Sequence, residues 1–276
     1  MKSFITRFIS AAVAVLVILF TFYFFQTNGL KFLILAAFII ATTELQKILF
    51  KNKDQFFASL LFSILSIFNF LLIVYIPNFA LYGICFAWIF YVISTLMLYH
   101  KSKELDLIQS SLFSALVGFI YLPVFVSFAW RILDLENGLQ WFIGLLTMVF
   151  AGDIGAYLVG VLIGKNKIMP SISPKKSIEG AVGGLLSSSI AGLAFGHSLT
   201  QQYLIIFSLL GLIVGLVGMF GDFFESLLKR VANIKDSGSI MPGHGGVLDR
   251  IDGVIFAAPV VFLAAYFGPA FLASYF

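Results

Sequence analysis

Charge, cysteine and histidine are all scarce in this chain, and each shortage closes off a class of protein. Only 11% of the 276 residues are charged, less than half the share usual in soluble domains, so a water-exposed globule is excluded. The single cysteine, Cys85, excludes an intramolecular disulfide and a cysteine metal cluster, and its place inside an apolar run assigns it to packing. Of the three histidines, His100 and His197 lie in polar connections without chemical neighbours, and no Ser/His/Asp arrangement is visible. There is no fixed-period repeat, no low-complexity tract and no long linker. One membrane domain is therefore expected, with 1–138 mainly scaffold helices and 139–276 the catalytic half.

What fills the chain instead is apolar: 61% of residues are hydrophobic and the mean hydropathy is +1.05. Crossing a hydrocarbon layer of roughly 30 Å takes about 20 apolar residues. Nine such runs predict an all-α polytopic protein, at 8–25, 28–44, 56–76, 79–99, 107–130, 139–163, 179–198, 203–228 and 252–275. The second has a short core flanked by Lys31 and Glu44. Met1–Phe25 looks like a signal peptide, but "FFQTNGL" offers no small-x-small cleavage site and the run is read as a retained helix.

Basic residues collect on the cytoplasmic side of membrane proteins. Nine spans with a cytoplasmic N-terminus put fifteen of the seventeen Lys and Arg inside and leave only Lys31 and Arg131 outside. The same excess explains the net charge of +4 and the isoelectric point near 9.1 without any nucleic-acid partner.

Seven of the thirteen acidic residues cluster after Gly138 with glycines and lysines, at or inside helix ends: Asp153, Glu179, Asp222, Glu225, Asp236, Asp249 and Asp252. A charge at mid-bilayer costs about 2.5–3.5 kcal/mol on insertion scales, so Asp153 in "VFAGDIGAYLVG" must face protein or water, as an interhelical hydrogen bond or as part of a site. Gly152, Gly155 and Gly160 beside it permit close backbone approach. In "GDFFESLLKR", Asp222, Glu225, Ser226 and Lys229 fall at i, i+3, i+4 and i+7 and share one helical stripe. That pattern fits either a cytoplasmic cavity or an interfacial charge ladder.

The following loop favours the cavity. Lys229, Arg230, Lys235 and Arg250 can neutralise phosphates, and Gly243, Gly245 and Gly246 of "PGHGG" can turn backbone N–H groups to an anion. In "LDRID", Asp249 and Asp252 share a face if a helix begins there. Carboxylates among cations and glycines suit a metal-assisted phosphate reaction, with oxygens for Mg²⁺ and Mg²⁺ for polyphosphate. A second basic loop, "GKNKIMPSISPKKSIEG", adds Lys165, Lys167, Lys175 and Lys176. There Ser177, Glu179 and Gly180 open a helix whose positive dipole end favours an anion.

"SLLKRVANIKDSGSIMPGHGGVLDRID", Ser226 to Asp252, closely resembles the signature of the phosphatidate cytidylyltransferases, the CDP-diacylglycerol synthases, and "GDIGAYLVG" and "SPKKSIEG" resemble two further blocks. Val161 stands where a basic residue is expected, and Met241 fills a slot more often Ile or Leu. The resemblance implies a polytopic helical fold and transfer of CMP from CTP to phosphatidic acid at the cytoplasmic face, with Mg²⁺ as cofactor and K⁺ as a candidate second ion; it also allows a homodimer. Carried over by position, Asp222 and Asp249 are the expected metal ligands, with Lys229, Lys235, Asp236 and His244 in the catalytic set. His244 either donates to a phosphate or caps the glycine turn. The expected substrate contacts are Asp153, Lys175, Lys176, Ser177, Glu179, Arg230, Gly245, Gly246, Arg250 and Asp252. A CTP-dependent lipid kinase and a transporter are the rival readings.

Overall fold

Within lipid every backbone polar group must be satisfied internally, which leaves helices or a closed barrel. The computed structural model takes the helical solution and describes residues 2–51, 55–99, 105–200, 202–240 and 245–275. Among these there is no named strand, only an isolated bridge between Lys167 and Ser177. The helices are α1 (Lys2–Leu49), α2 (Phe56–Tyr75), α3 (Ala80–Leu98), α4 (Leu105–Phe119), α5 (Phe125–Ile132), α6 (Gly138–Ile163), α7 (Ile178–Leu199), α8 (Leu204–Val231) and α9 (Leu248–Tyr275). A π turn, Ile120–Val124, holds Pro123 and joins α4 to α5 as one candidate span, Leu105–Ile132. A proline without an N–H is accommodated by such a bulge.

Eight helices among the described residues are long and apolar enough to cross a membrane. The chain is an integral multi-pass membrane protein. The expected spans from 56 onward agree with the helices to within about four residues, the ordinary uncertainty of helix ends. The first two expected spans fall together in α1, whose described candidate span Leu16–Leu49 is 34 residues long. That helix is interrupted: Gln26 has φ 50° and ψ −134°. In a straight helix residues eight apart are separated by about 12 Å, yet a Cβ on Gly29 would strike the carbonyl of Thr21. The chain therefore turns back sharply at Gln26. Counted as candidate spans among the described residues, the number is eight.

The chain divides into two compact units, Met1–Trp130 with Val231–Arg250, and Arg131–Arg230 with Ile251–Phe276. The signature loop thus groups with the N-terminal helices. The first unit is cored by aromatics: Phe38 stacks on Phe70 at 4.2 Å and Phe62 on Phe119 at 5.3 Å. Polar ties add to it, with Gln46 joined to Ser59 at 2.9 Å and to Ser63 at 2.8 Å. Cys85 is exposed on α3, so the expectation that it packs inside the protein is corrected: the span turns that face outward, and lipid accepts a small apolar thiol there.

The second unit relies on small residues, as association of helices in lipid generally does. The Cα of Gly180 lies 3.7 Å from where a Cβ of Gly160 would stand, and Ser188 Oγ donates to the carbonyl of Met148 at 2.8 Å, locking α6 to α7. Gly192 and Gly211 bring α7 and α8 together, and Gly221 meets the backbone of Asp252 on α9. The glycines beside Asp153 serve close helix packing, as their spacing suggested.

Candidate active site

The second unit gathers one polar cluster around the end of α8. The predicted stripe is present. Ser226 Oγ donates to Asp222 Oδ1 at 3.3 Å, and Lys229 pairs with the fully buried Glu225 one turn earlier. Lys176, from the second basic loop, reaches Asp222 Oδ2 at 2.6 Å and lies 4.2 Å from the Phe223 ring centroid. A cationic loop and an acidic helix end thus meet. Asp252, in the first turns of α9, is within Coulomb reach of Asp222, Asp153 and Lys176. Three acidic side chains thus lie close enough to one lysine to interact electrostatically. Asp153 is exposed on α6.

The loop that delivers Lys176 is tied mainly by its own residues. Glu179, in the first turn of α7, accepts from the backbone N–H of Lys165 at 3.1 Å and from the side chain of Asn166 at 2.8 Å. Ser177 is buried and accepts from Gly180 N at 3.2 Å as the N-cap of α7. Arg230 Nε donates to the carbonyl of Ile172 at 3.1 Å, fixing the loop to the end of α8. Ser177, Glu179 and Arg230, expected at the substrate, thus all hold protein backbone. Lys175 is exposed.

The first unit holds the other cluster. Asp249 opens α9, and its Oδ2 accepts from Ser237 N at 2.9 Å, Ser237 Oγ at 3.0 Å and Gly246 N at 2.8 Å. The anion that receives the Gly246 N–H is therefore the chain's own carboxylate. Gly245 has φ +82° and a Cβ there would lie 2.6 Å from Asp249 Oδ2, so both backbone and space require glycine. Lys235, Asp236 and Arg250 are exposed around this knot. His244 and Gly243 lie outside the described residues, as does Met241.

One residue of this cluster was not expected. Glu44, near the end of α1, is 2% exposed. Its carboxylate accepts from Val247 N at 3.1 Å, Leu248 N at 2.9 Å and Ser237 Oγ at 3.1 Å. A Cβ on Gly238 or Gly246 would collide with it. The only signal in the sequence was a lone glutamate closing an apolar run, which reads equally as the polar end of a span. Its partners are some 200 residues away.

Spanning helices with carboxylates, lysines and glycine turns at their ends define a polytopic membrane protein. The comparisons carry this further. The profile of the Cytidylyltransferase family matches residues 5–267, and the chain belongs to that family. A phosphatidate cytidylyltransferase of Mycobacterium bovis is 41% identical over 136 residues, 49% of this chain and 44% of the relative. Proteins of the same name match from Staphylococcus aureus, 44% identical over 128 residues (46% of this chain, 49% of the relative), and from Helicobacter pylori, 35% over 176 residues (64% and 62%). The chain covers less than two thirds of the length of each.

Proposed function

We propose that the chain transfers CMP from CTP to phosphatidic acid, releasing pyrophosphate and forming CDP-diacylglycerol. The observation that carries this reading is the Lys176–Asp222 pair at 2.6 Å, which joins a phosphate-binding type of loop to a metal-binding type of helix end. A phosphate oxygen of phosphatidic acid, already ionised, is the nucleophile. It bonds to the α-phosphorus of CTP as the bond to the bridging oxygen of pyrophosphate breaks. No general base is needed; the protein must align two anions that repel and offset their charge. Lys176 and Lys229, with exposed Lys175, supply positive charge for that task in the second unit; Lys235 and Arg250 are exposed cations of the first.

Mg²⁺ is the proposed cofactor; Asp222, with Asp252 within Coulomb reach of it, and Asp249 are each proposed as carboxylate ligands. Among the described residues no three His, Cys, Asp or Glu form a complete cage. An all-oxygen set fits Mg²⁺ nevertheless, because this ion commonly takes one or two carboxylates and fills its shell with water and phosphate oxygens. When bound, it polarises phosphate oxygens.

The decisive assay gives purified protein CTP, Mg²⁺ and phosphatidic acid. Pyrophosphate with CDP-diacylglycerol is the expected result; CDP as product makes the protein a lipid kinase, and solute uptake into sealed vesicles without nucleotide consumption makes it a transporter.

The proposed orientation has nine crossings, a cytoplasmic N-terminus and the site on the cytoplasmic face. It rests on the distribution of Lys and Arg and on the reversal at Gln26. In a Cys85→Ser background, an impermeant thiol reagent outside cells should label Glu136→Cys and spare Ser171→Cys and Ser239→Cys, three exposed positions. Labelling at 239 from outside inverts the map.

A further inference from the structure

The signature loop is incomplete without α1. Deeply buried carboxylates are costly unless several donors serve them, and Glu44 has three: two backbone N–H groups at the start of α9 and the Ser237 hydroxyl. The helix N-terminus adds its own favourable potential. Ser237 is the link to Asp249. Its Oγ stands 3.1 Å from Glu44 Oε2 and 3.0 Å from Asp249 Oδ2, and one hydroxyl proton can serve only one of them at a time. The two carboxylates are therefore coupled through a single side chain. Gly238 and Gly246, both in the signature, leave the space that Glu44 fills.

The structure assigns Glu44 as the positioning residue of the signature loop: it pins the start of α9 and, through Ser237, sets where Asp249 presents its carboxylate to the metal. This rests on the proposed reading of Asp249 as a metal ligand. It also gives the first quarter of the chain a part in the chemistry beyond scaffold. Residues that orient a metal ligand change metal affinity or activity by roughly 10–100-fold when altered.

The test uses the full chain purified in detergent, unaltered and as Glu44→Gln, which keeps volume but turns an amide N–H₂ toward groups that are themselves donors. Mn²⁺ binding is read by electron paramagnetic resonance, and loop order by a lysine-specific protease that cuts at exposed Lys235 or, in the other unit, at exposed Lys167 and Lys175. Mn²⁺ affinity should fall about tenfold and cleavage at Lys235 should rise about tenfold, with cleavage at Lys167 and Lys175 unchanged. Ser237→Ala should act in the same direction and add little to Glu44→Gln, because the two share one network. Unchanged Mn²⁺ affinity overturns the proposal whether or not the loop loosens, and so does absence of Mn²⁺ binding by the unaltered chain. A uniform rise in cleavage at all three lysines, the mark of general unfolding, overturns it as well. If the unaltered protein binds Mn²⁺ and shows these shifts but releases no pyrophosphate from CTP, the functional reading falls and the positioning role stands.

Discussion

The two basic loops solve the same problem by one device, with different reach. Each precedes a helix, α7 or α9, whose first turn sends a carboxylate back to grip the loop: Glu179 takes Lys165 and Asn166, and Asp249 takes Ser237 and Gly246. The α7 loop is also capped by its own Ser177, and its anchors lie within its unit at the adjoining helix ends. The α9 loop adds a carboxylate from α1, 193 residues away from Ser237, and Lys51 holds the carbonyl of Val231 at its other end. A loop closed locally needs only its own sequence. One closed at long range has its shape set by tertiary structure, which suits a segment proposed to hold a metal-ligating carboxylate within about 0.5 Å.

The largest effect should come from the proposed metal ligands. Asp222→Asn and Asp249→Asn keep shape and an oxygen but lose the charge, and each should lower turnover by more than ~100-fold, beyond the usual cost of removing a ligand's supporting partner. The comparison predicts a difference between them. Asp249→Asn also weakens three hydrogen bonds by making them neutral, so protease cleavage at Lys235 should quicken, whereas Asp222→Asn should leave it alone. Full turnover in either variant at limiting Mg²⁺ removes that residue from the metal site. Gly245→Ala comes next. It forces a side chain into φ +82° and against Asp249 Oδ2, at a cost of roughly 1–3 kcal/mol; chemical denaturation in detergent checks the loss, and turnover should fall with it.

These contrasts also separate what was legible in the sequence from what was not. Spans were legible because twenty apolar residues are a local signal, and the Asp222–Lys229 stripe because helical periodicity places i and i+4 together. The glycines of "PGHGG" were recognised as special. In the structure the N–H of Gly246 serves Asp249, a partner that the local sequence did not announce. Glu44 was invisible for a physical reason. A glutamate near the end of an apolar run has the same local pattern whether it faces headgroups or receives three donors from a distant loop. Only the contacts of Glu44 on α1 with Ser237, Val247 and Leu248 distinguish the two.

Glu179→Gln sharpens the comparison from the other side. Its amide would oppose donors from Lys165 and Asn166, so the α7 loop should open and protease cleavage at Lys165 and Lys167 should rise, with Lys235 unaffected. Because the grip is short-range and partly exposed, the increase should be smaller than that produced at Lys235 by Glu44→Gln. Cleavage rising equally in both loops would mean that they are not separately closed, and the distinction drawn above would fail.

The smallest effect should come from Ser177→Ala. Ser177 is 3% exposed and its hydroxyl already accepts from Gly180 N, the geometry of an N-cap, in which one of the orphan N–H groups at a helix start finds its partner. Replacing such a serine with alanine costs about 1 kcal/mol, and the loss should appear as lower stability to denaturant in detergent. The sequence had placed Ser177 among the substrate contacts, and the two roles leave different marks. A cap acts on the equilibrium of the whole helix, so stability falls while the KM for CTP stays where it was in the folded fraction. A substrate contact acts only when nucleotide is bound, so KM rises at unchanged stability. The buried hydroxyl and its 3.2 Å partner point to the first outcome, and the second would return Ser177 to the nucleotide.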